Sequence, residues 1–535
     1  MLRSVLTPVI GSCLVLSVPA RAEAPAESDP PVLSVGSVSE VDTSEVLERI
    51  ANTRSRAEAR GPAPTPLMLG LEDALQVALE ANLRLQISAL DRDIAEALVP
   101  AARARFHPVP GFDVAAGSTR LVDAPDDFFS PGEIVDGTQE EDARSATPFV
   151  RQELPTGGTL ELSAQLLRRD IDEGNPEPGP PPPPGEGPFN DDRYRGDTAI
   201  VLTQPLMRGG RVYVARREIL DAEYDLGIAE AELRAEILRV TAEVKQAYYN
   251  TILARRLIEV SEAALTRDRS LLEASEALFD AGRANRRDVL SAQIRISDDE
   301  SSLAANQAAF DDAQLVLRDV LGTPIERPVQ LTDAHIPFDP VPIETGQWVV
   351  QAIENRPEIR ALLTRLDQTA LAVRVAENDV LPALDFLGSY ARAGFSDTSR
   401  TTWDMDSQAW FTGLHFEIPL GNVAARERLR AAKFANERVE RELRDQQRRI
   451  EIEVRTEVIN LRENFADLAA QTAKLEQARD KFETASTRFR LGLADNFDVT
   501  DAQEDVVDAE TEFLGSMVDY VNSQARLEAS VAGPL

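Results

Sequence analysis

Aromatic residues make up only 5% of this 535-residue chain, too few for the several compact cores that such a length ordinarily holds. An elongated, mainly helical architecture fits better. Basic residues are also scarce, 57 Lys and Arg against 91 Asp and Glu, and the net charge of −34 excludes a phosphate-tracking surface and nucleic acid as a partner. There is a single cysteine, Cys13, and only three histidines, His107, His335 and His415, scattered far apart. Thiol catalysis, disulfides and a metal site are therefore not expected, and neither is any cofactor. No P-loop, dinucleotide fingerprint or nucleophile–base set is found, so an enzyme is the least favoured class. Beyond the N-terminus no apolar run is long enough to cross a membrane as a helix.

What is present begins with an export signal. Residues 1–22 carry Arg3, an apolar stretch over 5–18 and Ala20-Arg21-Ala22, the pattern of a cleavable secretory peptide. Cys13 lies in Ile10-Gly11-Ser12-Cys13, a weak lipobox, but the apolar Leu14-Val15-Leu16 after it argues against acylation. Residues 23–68 read as a poorly ordered leader with a short helix over 44–60.

The remainder is duplicated. Phe279-Asp280-Ala281-Gly282-Arg283-Ala284, followed by Asp288-Val289 and Ala292-Gln293, recurs as Phe489-Arg490-Leu491-Gly492-Leu493-Ala494, then Asp498-Val499 and Ala502-Gln503, at a constant offset of 210. Each half opens with a helix of about 36 residues, 71–106 or 347–381, stopped near a proline. Strand-like segments follow, near 106–119, 149–154, 159–168 and 198–205 in the first half and 382–395 and 408–420 in the second. Then come proline-free stretches of about 68 residues, 213–280 and 423–490, roughly 100 Å long as helices. A glycine turn and a return helix of about 36 residues, 288–321 or 498–531, complete each half. Two 36-residue helices stacked end to end match one long rod, which gives the first repeat at 69–321, a proline-rich connector at 322–346 that forms a collar, and the second repeat at 347–535.

The strands alternate. Leu160-Glu161-Leu162-Ser163-Ala164-Gln165-Leu166 and Leu414-His415-Phe416-Glu417-Ile418 each present one apolar and one polar face. An ordinary half-buried sheet shows the same pattern. Export, the lack of a membrane helix, and aromatics near strand ends (Phe128, Phe129, Tyr390, Phe395, Trp403, Trp410, Phe411) turn the balance to a barrel wall against outer-membrane lipid. Four to six strands cannot close a pore, so the barrel must be oligomeric; residues 149–168 form either a barrel hairpin or a surface excursion. The proline run within 175–188 reads as an extended external linker. A periplasmic adaptor or a coiled-coil scaffold without a pore are the other readings, but neither needs amphipathic strands repeated with every hairpin.

Leu71-Glu72-Asp73-Ala74-Leu75 leading to Ala78-Leu79-Glu80-Ala81-Asn82, its second copy Ala352-Ile353-Glu354-Asn355-Arg356-Pro357-Glu358-Ile359, the turn Gln204-Pro205-Leu206-Met207-Arg208-Gly209-Gly210-Arg211 and the two glycine hairpins resemble the TolC family of outer membrane efflux proteins. The resemblance implies a homotrimer with a β-barrel in the outer membrane, continued by an α-helical coiled-coil tunnel gated at its periplasmic end. It also implies a periplasmic adaptor and an inner-membrane transporter as partners, for drug efflux or protein secretion. Carried over by position, Asp498 and Asp501 ring the constriction and Asp288 belongs to the gate network. Gly282 and Gly492 primarily allow the tight reversals; contact with an adaptor hairpin is a second role for the tips Ala281, Gly282, Arg283, Ala284, Leu491, Gly492, Leu493 and Ala494, and a turn without a partner is the simpler alternative. Phe489 and Ala494 stand where the family's best-known member has a hydroxyl and an arginine that hold the gate shut, so closure here needs other contacts. Six carboxylates around one axis would favour cations, although acids in a first helical turn also suit the helix itself.

Overall fold

A computed structural model describes residues 67–122, 138–173, 194–282, 285–333, 336–338, 340–341, 345–491 and 493–533. The expected signal peptide, the helix over 44–60 and the proline run within 175–188 lie outside them, as do Phe128, Phe129, Arg283, Ala284 and Gly492.

The first repeat runs β1 (Leu67–Leu69), α1 (Leu71–Ala81), α2 (Leu83–Ala104), β2 (Val109–Val122), β3 (Thr138–Glu153), β4 (Thr159–Glu173), β5 (Tyr194–Pro205), a single turn α3 (Val212–Ala215), α4 (Arg217–Asp280) and α5 (Arg286–Leu321). After β6 (Val329–Leu331), the second repeat runs α6 (Thr345–Asn355), α7 (Pro357–Asp379), β7 (Ala383–Ser396), β8 (Ser407–Glu417), α8 (Val423–Arg490) and α9 (Asn496–Val531).

Three expectations need correction. The opening helices are not continuous, because each breaks where the return helix of its own half ends. At the first break Asn82 accepts from the amides of Arg84 and Leu85 and donates to the Val320 carbonyl at 2.7 Å. The two accepted bonds cap α2, and the donated one occupies one of the carbonyls orphaned at the end of α5. At the second break Arg356 precedes Pro357, which disfavours helical backbone at Arg356, and its guanidinium donates to the Ser530 carbonyl at 2.7 Å. The composite rods are therefore α2 with α5 and α7 with α9, while α1 and α6 lie beside them at the junction. Gly322 ends α5 at φ 68°, and a Cβ there would sit 2.3 Å from the Ala81 carbonyl oxygen, so only glycine fits this junction.

The second correction concerns Leu67 and Met68, read as leader, which pair with an edge strand supplied by the connector. Leu67–Leu69 pairs in parallel with Val329–Leu331, and Asp333 just beyond accepts from the Tyr248 hydroxyl at 2.6 Å. The third is that the long helix of the first half starts at Arg217, not at 213.

The core lies at this junction. Val240, Val244, Tyr248 and Ile252 form a fully buried i, i+4 stripe on α4, and Ile450, Val454 and Leu461 of α8 belong to the same apolar cluster, which the helices between them complete. Leu317 and Leu527, equivalent at the offset of 210, are both 0% exposed, and burial of each such side chain is worth about 1.5–3 kcal/mol. α4 buries residues around most of its circumference because it touches α2, α5, α7 and α9. α8 buries a narrower set, Val439, Ile450, Val454, Val458, Leu461, Leu468 and Leu475, spaced mainly by three, four and seven. That is the pattern of a helix with neighbours on one side.

The helices accordingly stand side by side as α2, α4, α7, α8 next to the sheet and as α5, α4, α9, α8 toward the hairpin ends. The sheet is antiparallel and six-stranded, β2-β3-β4-β5-β7-β8, so residues 149–168 belong to it. Register carries one row across most of it: Val150, Leu162, Ile200, Tyr390 and Trp410 share a face. The next row, Arg151, Glu161, Val201 and Ser389, faces the other way. Alternation read from 160–166 and 414–418 thus belongs to one apolar face, where Phe112, Leu162, Trp410, Leu414 and Phe416 are exposed.

Candidate gate at the hairpin ends

Two helical hairpins, α4–α5 and α8–α9, carry the residues expected at the constriction. Gly282 takes a left-handed φ of 70° to reverse the first. The return helices start on capping acids. Asp288 accepts from the Asn285 amide at 3.1 Å in a capping box, and the Asp495 carboxylate accepts from the Asp498 amide at 3.1 Å. Asp288 therefore fixes a helix start, while the exposed Asp498 carboxylate adds negative charge to a first turn that favours it.

The two hairpins are joined. Buried Asn496 donates from its side chain to the Asp288 carbonyl at 3.1 Å, so the first turns of α5 and α9 lie together. Asp501 sits one turn further on, ion-paired at 2.7 Å to Lys481 of α8, which also grips Asp505. These two carboxylates hold the Lys481 ammonium well above the usual lysine range. At the tips Leu491, Leu493 and Phe497 are each more than two-thirds exposed, an unusual concentration of apolar surface on acidic hairpins.

A buried polar junction lies further from the tips. Asp268 of α4 is 2% exposed and accepts from the Gln503 side chain of α9, whose amide also reaches the Ala264 carbonyl at 3.4 Å. Arg295 of α5 stands 3.7 Å from Asp268 and 4.0 Å from Asp299, and pairs with Glu504 of α9 at 3.0 Å. Burial pushes the Asp268 carboxyl up to about 7, neighbouring Asp299 adds to the shift, and Arg295 and Gln503 pull it partly back.

The profile of the outer membrane efflux protein family matches residues 159–323 and 348–533, more than half of the chain. The chain belongs to this family. Solved structures share its fold. The outer-membrane channel OprN is 19% identical with a TM-score of 0.61, over 86% of this chain and 90% of that one. The CmeC outer membrane channel of Campylobacter jejuni is 15% identical with a TM-score of 0.61, over 86% and 85%. The open state of the Neisseria gonorrhoeae MtrE outer membrane channel is 16% identical with a TM-score of 0.59, over 86% and 89%. No curated protein sequence matches the chain.

This efflux-family protein is thus an outer-membrane channel component that extends into the periplasm. The sequence reading missed the partners of its acids. Lys481 faces Asp501 and Asp505 from nearly the same distance on the other side of the second hairpin, a signal available from counting outward from Gly492. Nothing in the sequence picks out Asp268 among so many acids.

Asp268 makes the stability of the efflux protein pH-dependent. Its folded-state pKa lies above the unfolded value, so its contribution is fully present below about pH 4 and is lost as pH rises through about 7. In Asp268→Asn the thermal midpoint is expected to lose that part of its fall between about pH 4 and 7, and to exceed wild type at about pH 8. Parallel melting profiles for the two proteins would contradict this.

Proposed function

We propose that three copies of this chain form a passive conduit, closed head to tail, with its narrowest point at the periplasmic hairpin ends. The supporting observation is that, among the described residues, the same two edges stay unpartnered from the sheet to the hairpin ends. β2, α2 and α5 form one edge and β8 and α8 the other. α2 exposes Leu83, Ile87, Leu90, Ile94 and Leu98, each at least 55% accessible, at the three- and four-residue spacings of a coiled-coil seam. α8 exposes Val423, Phe434, Ile452 and Ile459 on the opposite edge. Edges that differ from each other join head to tail, and rotation closes them into a ring. An adaptor or a scaffold would leave the six-stranded amphipathic sheet without a role.

Within the ring, the first turns of α5 and α9 bring Asp288, Asp498 and Asp501 near the opening. Asp501 is already neutralised in part by Lys481, so Asp498 carries more of the charge that favours cations. The apolar tips around Leu491 and Leu493 suit a periplasmic adaptor hairpin, and the inner-membrane transporter would decide between efflux of small solutes and protein secretion.

Reconstitution in planar bilayers tests this reading. Wild type is expected to give cation-selective steps that multivalent cations block, and Asp498→Ala with Asp501→Ala to lose both selectivity and block. Asp498→Ala alone should account for most of the change. Steps unaffected by the substitutions would keep the channel and discard the acidic constriction, whereas silence from folded oligomers in both forms would overturn the conduit.

A further inference from the structure

Arg267 of α4 stands apart from the other basic residues of the hairpins. Its Nε and Nη2 are both shielded from solvent and neither has a hydrogen-bond partner, and among the described residues no other guanidinium has two such nitrogens. Buried donors are nearly always paired, and an unpaired charged one is costly. Nε and Nη2 form one edge of the planar fork, the edge that takes both oxygens of a carboxylate in parallel. Acids are plentiful, 91 against 57 bases, yet none of them reaches this edge.

Arg267 lines a recess of about 340 Å³ where α4 and α8 face each other across α9. Leu271 of α4, Phe482 and Phe489 of α8 and Val499 of α9 give it apolar walls. Arg490, at the end of α8, supplies a second guanidinium. It is exposed and held only by 3.4 Å contacts to the Ser486 carbonyl and the Thr487 hydroxyl. Among the described residues no aspartate or glutamate lines the recess. The neighbouring cavity of about 800 Å³, which Arg267 also borders, holds Glu259, Glu476, Asp480 and Glu510. An anion is therefore favoured on the side of Phe482 and Phe489 and repelled on the other. Apolar walls with a few convergent charged donors, at a volume near the lower end for ligand sites, are the form of a small-molecule pocket.

We propose that this recess binds a small amphipathic carboxylate, an aryl- or alkyl-alkanoate with its oxygens on Arg267 and its apolar body against Phe482 and Phe489. Arg267 has no hydrogen bond to break, so a small turn of its side chain presents the free edge to the ligand. Arg490 closes the mouth. Because Arg267 belongs to the first hairpin and Arg490 and the phenylalanines to the second, the ligand ties the two hairpins together beside Gln503, which already bonds Asp268. Occupancy then stabilises the joined hairpins. The site lies within one protomer and does not depend on the conduit reading.

Ligand-observed fluorine NMR with a fluorinated phenylbutanoate, over the full chain in lipid nanodiscs, tests this. Arg267→Gln and Arg490→Gln are each expected to weaken binding by roughly tenfold. Arg286→Gln, exposed on the first turn of α5 and outside the recess, should leave it unchanged. The probe should raise the thermal midpoint of wild type. Without probe, Arg267→Gln should melt no lower than wild type, since no partner in the fold is lost, and it should not respond to the probe. If both arginine variants bind as wild type does, or neutral phenylbutanol binds as well as the acid, the probe is adsorbing to lipid or apolar surface and the site falls. If acetate binds as tightly as phenylbutanoate, the recess takes a bare carboxylate, such as a partner protein's acidic side chain, and the proposed ligand class falls.

Discussion

Replacing Leu90 and Ile94 together by glutamate is expected to abolish the trimer and all channel conductance while leaving the protomer folded. Both side chains are 59% exposed in the isolated chain, so nothing in the protomer's own core is disturbed, and glutamate is as good a helix former as the residues replaced. In the closed ring they would face α8 of the next copy. Two carboxylates there replace apolar contacts and lose hydration, a cost that arginines along α8 such as Arg428, Arg444 and Arg448 offset only where they reach the new acids, and it is repeated at three interfaces. The measurement is mass by light scattering in detergent beside circular dichroism. Monomers with unchanged helical signal are the expected result; intact trimers would place the subunit contact elsewhere.

Arg356→Ala is expected to lower the stability of the assembly by about 2–3 kcal/mol per copy. The guanidinium is nearly buried and closes three contacts at once, the Ser530 carbonyl at the end of α9 and both oxygens of Glu453 on α8. Removing it leaves a buried carbonyl without its donor and a carboxylate without its fork; because Glu453 is half exposed, water recovers part of the loss. Arg356→Lys keeps the charge but loses the two-pronged geometry, and should fall between the two. Denaturant midpoints at fixed protein concentration check the ordering, and equal midpoints for all three would contradict it.

The long elements were legible in the sequence because their signals are local. α8 spans the 68 residues 423–490 read from the missing prolines, and the strands of 160–166 and 414–418 face as their alternation says. The breaks at Asn82 and Arg356 depend on partners in α5 and α9 more than 170 residues away, so helical propensity runs straight through them. Pro357 was the one local warning at the second break. β3 extends back to Thr138 through Gln139-Glu140-Glu141-Asp142, a run too polar to announce a strand, and is held by pairing on both sides. At the hairpin ends, the turn at Gly282 and the first-turn acids Asp288 and Asp498 could be read from spacing, whereas the Asp268–Arg295–Gln503 junction joins three helices and exists only in the fold.

Electron cryo-microscopy of the detergent-extracted protein tests the head-to-tail channel most directly. The account predicts a threefold particle in which β2 of each copy pairs with β8 of the next and α2 lies against the neighbouring α8. A monomer, or a twofold particle in which like edges meet, would contradict it.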